Sequence, residues 1–188
     1  MVRPTLAAVY LAAIIATSGR TMAGPKIYRN PEFEILLPVP GPGSLCPNPK
    51  NEHDHGFGIL LGGGNAKDCH DDAHYRSIWL FAFFNALDDT KYLPGLLNMG
   101  CDVAGGPCQP GPADLQISGL LSAAATVKLP DGWIVIIVAT QAGAPVPTWD
   151  PNVPSVNYTF YLRTRPEHRD QDLCAFRKIL QTVKLSPA

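Results

Sequence analysis

The 188-residue chain predicts an α+β fold: a mainly antiparallel β-sheet, covered by a C-terminal helix and by a second layer of short helix and loops. Three observations carry that expectation. Residues 120–141 (LLSAAATVKLPDGWIVIIVATQ) read as a hairpin turning at Pro130-Asp131-Gly132. Proline presets φ there, aspartate bonds its own backbone, and glycine accepts positive φ. Short apolar runs separated by glycine and proline read as further strands, and residues 170–182 (DQDLCAFRKILQT) carry one apolar stripe at helical spacing. The second hairpin strand is apolar on both faces, with Trp133, Val135, Ile137 and Ala139 against Ile134, Ile136 and Val138, so it belongs inside a sheet covered on both sides. The first strand has one mixed face, with Ser122, Thr126 and Lys128, and belongs nearer an edge.

Before the folded part comes a targeting pattern. Arg3 precedes the apolar run 6–16, and Thr21-Met22-Ala23 resembles a cleavage site, so residues 1–23 are expected to be a signal peptide and 24–188 a single domain. The apolar run is too short to span a bilayer, which takes about 20 residues. No membrane span is therefore expected after signal removal, and the expected location is periplasmic or secreted.

Loss of Arg3 and Arg20 with that segment moves the formal charge from −1 to −3. Such a balance, with no basic cluster, argues against a nucleic-acid partner and against a polybasic membrane-surface protein. Five cysteines fit an oxidising compartment and leave one over. Cys101 and Cys108 enclose a short glycine- and proline-containing loop, and Cys46 with Cys69 would tie the proline-rich entry to the loop after the second strand. Cys174, beside Leu173 and Phe176, reads as a buried thiol in the helix stripe.

In chain order, 33–37 (FEILL) is a short strand stopped by Pro38, and the proline-rich segment 38–49 is expected to be an irregular loop. Residues 56–61 (GFGILL) form a second strand. A third covers 75–85 (YRSIWLFAFFN), with Trp79, Phe81 and Phe83 on one face; it is expected beside the Trp133 strand. A short helix from Asp88 broken near Pro94, then loop from Cys101 to Ala113, complete the middle. A second proline-rich loop at 142–154 carries Trp149, a candidate contact residue. The run 156–164 alternates as a half-buried strand, with Tyr158, Phe160 and Leu162 facing inward. Asn157-Tyr158-Thr159 also fits a glycosylation acceptor.

The one polar concentration is 51–74, which holds four of the five histidines: His53, His55, His70 and His74. Imidazoles with neighbouring aspartates suit zinc or copper, although the spacing matches neither H-E-x-x-H nor paired C-x-x-C. A bridged Cys69 would be no ligand. Gly62-Gly63-Gly64-Asn65 lacks the frame of a phosphate loop, no G-x-S-x-G elbow occurs, and no catalytic residue is assigned.

The end elements, Phe33-Glu34-Ile35-Leu36-Leu37-Pro38, the central hairpin, the Tyr158–Leu162 alternation and Phe176-Arg177-Lys178-Ile179-Leu180-Gln181-Thr182, resemble the PsbP-like α/β/α fold. That resemblance implies binding or assembly without a shared active site, and no functional residue carries over. The sequence therefore favours an exported binding or assembly module whose partner is a protein or small ligand, with no cofactor. A His/Asp metal-binding protein and a hydrolase are the alternatives.

Overall fold

The computed structural model describes residues 27–39, 44–47, 55–63, 69, 74–84, 93–117, 119–143 and 155–185. The expected signal segment, His53, His70 and Trp149 lie outside the described residues. Strands β1 (Ile27–Asn30) and β2 (Ile35–Pro38) form a two-stranded antiparallel ribbon. Seven further strands make the main sheet: β3 (Ser44–Pro47), β4 (Gly56–Leu60), β5 (Ser77–Phe84), β6 (Gln109–Pro110), β7 (Ser122–Lys128), β8 (Ile134–Gly143) and β9 (Ser155–Thr164). Their order is β3-β4-β5-β9-β8-β7-β6, and every pair is antiparallel. Helix α1 (Leu93–Ala104) packs on β7 and β8, and α2 (Arg169–Thr182) packs on β9 and β2. The α+β class and the mainly antiparallel sheet are thus as the sequence predicts.

The turn between β7 and β8 closes with the Gly132 N–H donating to the Leu129 carbonyl at 3.0 Å, and Gly132 takes φ +85°. That left-handed conformation is the one glycine accepts without a Cβ penalty. The β8 faces divide as their residues demand. Ile136 and Val138 join the larger core with Phe33, Phe57, Leu80, Phe160, Phe176 and Ile179, beneath α2 and the β1–β2 ribbon. Val135 and Ile137 join a smaller core with Cys101, Ala125 and Val127 beneath α1.

Several expectations need correction. The strand beside β8 is β9, not the Trp79 strand: β9 sits between β5 and β8, so it is central and almost wholly buried on both faces rather than half-buried. Pro38 does not make the whole following segment irregular, because residues 44–47 pair with β4. Asp88, where the helix was expected to start, lies outside the described residues, and Pro94 lies within α1 as its second residue instead of breaking a helix. At the second helical position its missing N–H costs nothing, and the helix runs on through Cys101, where a loop was expected. Cys174 is free, as the odd count requires, but exposed: α2 turns Leu173, Phe176, Ile179 and Leu180 inward and leaves 174 on the solvent side. Asn157 is fully buried in β9 and accepts a hydrogen bond from Gln141 Nε2 at 2.9 Å, a setting that no glycosylating enzyme reaches in the folded chain.

Candidate functional site: an aromatic cleft beside Arg163

The larger core is closed, whereas the α1 side of the sheet is only partly roofed by the described residues. Helix α1 lies over β7 and β8 and only grazes β9. Strand alternation puts Ser77, Trp79, Phe81 and Phe83 of β5 on this side, opposite Arg163, Tyr161, Thr159 and Asn157 of β9. A cleft of about 240 Å³ opens where the helix ends. Its walls are Val103 and Ala104 of α1, Leu129 at the turn, Val135, and the β5–β9 row of Ser77, Trp79, Phe81, Tyr161 and Arg163. An apolar cavity of about 150 Å³ already holds benzene, so this space takes a ring with a substituent.

The floor is built by close packing. Trp79 lies over Gly58 of the neighbouring strand, where a Cβ would come within 2.5 Å of the indole. The Trp79 and Phe81 rings run nearly parallel, 15° apart with centroids 6.3 Å apart, and Tyr161 meets Phe81 edge-on at 5.6 Å. Trp79 Nε1 donates to Ser77 Oγ at 3.0 Å, which fixes the indole in its plane. Phe81 remains 40% exposed and Val103 70%, so apolar surface faces outward at the rim.

The polar groups of the lining are Ser77, Tyr161 and Arg163. Burial raises the Tyr161 hydroxyl to about 12, so at neutral pH it is a neutral donor and acceptor. Arg163 is the exceptional group. Its Nε is buried with no hydrogen-bond partner among the described residues. Its guanidinium rests on the Trp133 ring at 4.7 Å, and Arg165 rests on the same ring at 4.1 Å. Arg165 has a hydrogen bond to the Asp131 carbonyl; Arg163 has no carboxylate partner among the described residues. The arrangement can hold an apolar body and attract an acceptor or negative charge.

The histidines expected as metal ligands are differently placed. His55 sits at the start of β4, level with Ala82, whose carbonyl lies 3.1 Å from its Nδ1. His74 precedes the opposite end of β5, beyond the Ser77–Leu60 pair. The intervening strand alone spans about 17 Å at ~3.4 Å per residue, so these two do not meet. Among the described residues no group of three His, Cys, Asp or Glu could hold a metal. Both expected disulfides are present: Cys46–Cys69 joins β3 to the segment before β5, and Cys101–Cys108 joins α1 to the strand after it. Sequence reading missed the cleft. Trp79 and Phe81 read as core and Tyr161 and Arg163 as a solvent face, and only the pairing of β5 with β9 brings them together.

An antiparallel sheet with a helix on each face and an aromatic cleft at one helix end defines the class of this protein. No family model and no curated protein matches the chain. Among solved structures it is similar to LpqN of Mycobacterium tuberculosis, a protein involved in cell envelope biogenesis, at TM-score 0.52 and 14% identity over 82% of this chain and 84% of that one. At that identity the likeness is one of fold. No helix among the described residues is long and apolar enough to cross a membrane.

Proposed function

We propose that this protein is an exported binding module of the cell envelope or extracellular space that takes a small, apolar-bodied ligand in the cleft between α1 and the β5–β9 row. The observation that carries the reading is the shelf of Trp79, Phe81 and Tyr161, held open beside the end of α1 and still partly exposed. An apolar concavity with a few convergent polar groups is the usual form of a small-molecule site. Two disulfides support export, since such bonds persist in oxidising compartments. The envelope role of LpqN supports the location. A PsbP-like shape remains part of this proposal, supported by β2, the β7–β8 hairpin and the passage from β9 into α2.

The test is calorimetric titration of the mature chain with 1-naphthalenemethanol, a neutral aromatic probe. One site per chain is expected, weakened about tenfold by Phe81→Ala, the loss of one well-packed ring contact. Absence of binding to the wild-type chain by this probe and by its charged analogues of the same shape would overturn the reading.

A further inference from the structure

Resting on that reading, we infer that the ligand is an organic anion: an aromatic or similarly flat apolar body bearing one carboxylate, with its charge set against Arg163. The argument begins with charge accounting. Two arginines lie near this end of the β5–β9 pair, Arg76 just before β5 and Arg163 in β9, and they serve opposite faces of the sheet. Arg76 finds Asp172 at 2.9 Å on the α2 side. Arg163, opposite Ser77 on the α1 side, finds among the described residues only the face of Trp133.

A guanidinium carries five donors, and desolvating one of them without a partner is unfavourable. Within the low-dielectric wall of an apolar cleft, the positive charge is poorly screened and attracts an anion far more strongly than a surface arginine does. Stacking on Trp133 stabilises the cation but accepts no N–H. Arg165 stands on the same ring, adds positive potential, and has its own hydrogen bond to the Asp131 carbonyl. Among the described residues no Asp or Glu lines the cleft to compete for that charge.

The rest of the lining decides the body. Trp79 and Phe81 present nearly parallel rings, Val103, Ala104, Leu129 and Val135 close the other sides, and the space suits one substituted ring system. Ser77 and Tyr161 offer hydroxyls beside the head group. A planar carboxylate matches the fork of a guanidinium better than a neutral or positive group.

The experiment compares three probes of one shape, 1-naphthoate, 1-naphthalenemethanol and 1-naphthylmethylammonium, on the wild-type chain and on Arg163→Gln, Arg163→Lys and Phe81→Ala. The expected order on wild type is anion, then neutral, then cation, with about tenfold or more between first and last. Arg163→Gln should weaken naphthoate about tenfold and the alcohol far less, Arg163→Lys should restore part of the loss, and Phe81→Ala should weaken both. Equal binding of anion and alcohol, unmoved by Arg163→Gln, would overturn the anion inference while leaving the binding reading intact. Failure of all three probes would remove the binding reading itself. If Arg163→Gln does not fold, as judged by circular dichroism, the ranking on wild type decides alone: cation binding as tight as anion binding rejects the inference.

Discussion

At the scale of single residues, the contrast between Arg76 and Asp172 on one face and Arg163 on the other sets what each group does. Asp172 is buried and accepts from Arg76 and from Thr164 Oγ1 at 2.6 Å, so it ties the first turn of α2 to the end of β9. Removing one partner of a buried pair leaves an uncompensated charge, and Asp172→Ala should cost about 3 kcal/mol in urea denaturation. Gly58 acts by the absence of a side chain. Its φ lies outside the left-handed region, so the constraint is purely steric: Gly58→Ala drives a methyl into the Trp79 indole. That overpacking should cost about 1–3 kcal/mol and weaken 1-naphthalenemethanol binding, because the floor of the cleft must shift. An alanine variant with wild-type stability and unaltered affinity would show that the indole does not rest on Gly58.

At the scale of elements, helix α1 owes its position to contacts made by its own sequence. Gly100 brings it close to β8 and β9: a Cβ there would lie 3.1 Å from Ile137 Cγ2 and 3.4 Å from the Tyr161 hydroxyl. The Cys101–Cys108 bridge then fastens its last turn, beside Val103 and Ala104 at the cleft wall. A separation of 7 residues gives about 2.5 kcal/mol in the chain-entropy model, and the separation of 23 in Cys46–Cys69 about 3.5 kcal/mol. Replacing the first pair by serine should lower stability less than replacing the second, yet weaken the naphthalene probes more, since only the first anchors a wall of the cleft. Helix α2 is anchored differently, by Leu173, Phe176, Ile179 and Leu180 in the larger core and by the mutual hydrogen bonds of Leu36 with Lys184 after its end. Phe176→Ala should cost about 3–5 kcal/mol, as for other fully buried phenylalanines.

At the scale of the whole molecule, the two cores share β9, and its tyrosines link the fold to pH. Tyr158 donates to the Phe33 carbonyl at 2.8 Å beneath the ribbon, and burial, with a smaller contribution from Glu34, raises its hydroxyl well above the usual range. Tyr161, on the other face, is raised to about 12 by burial. Raised values mean that the unfolded chain releases these protons first, so the folded chain binds more protons above about pH 10. Stability should therefore be unaffected by these groups below that point and fall as pH rises beyond it. Urea midpoints of a Cys174→Ser chain between about pH 9 and about pH 11 check this; Tyr161→Phe should flatten the slope without abolishing it.

Period-2 alternation in β8, the Pro130-Asp131-Gly132 turn, the apolar stripe of α2 and the short Cys101–Cys108 loop each declare themselves locally, because each depends on near neighbours in the chain, and Cys46 with Cys69 follows as a second pair among the cysteines left. For that reason the α+β class, the hairpin, the final helix and the disulfides were legible in the amino-acid order alone. Strand order was not, since β9 pairs with β8 across 12 to 30 residues and with β5 across 72 to 86, through sheet hydrogen bonds that carry no local signature. The candidate site depends on that pairing. It places Trp79 against Tyr161 and Ser77 against Arg163, and it leaves one arginine beside an apolar cleft with Trp133 as its partner.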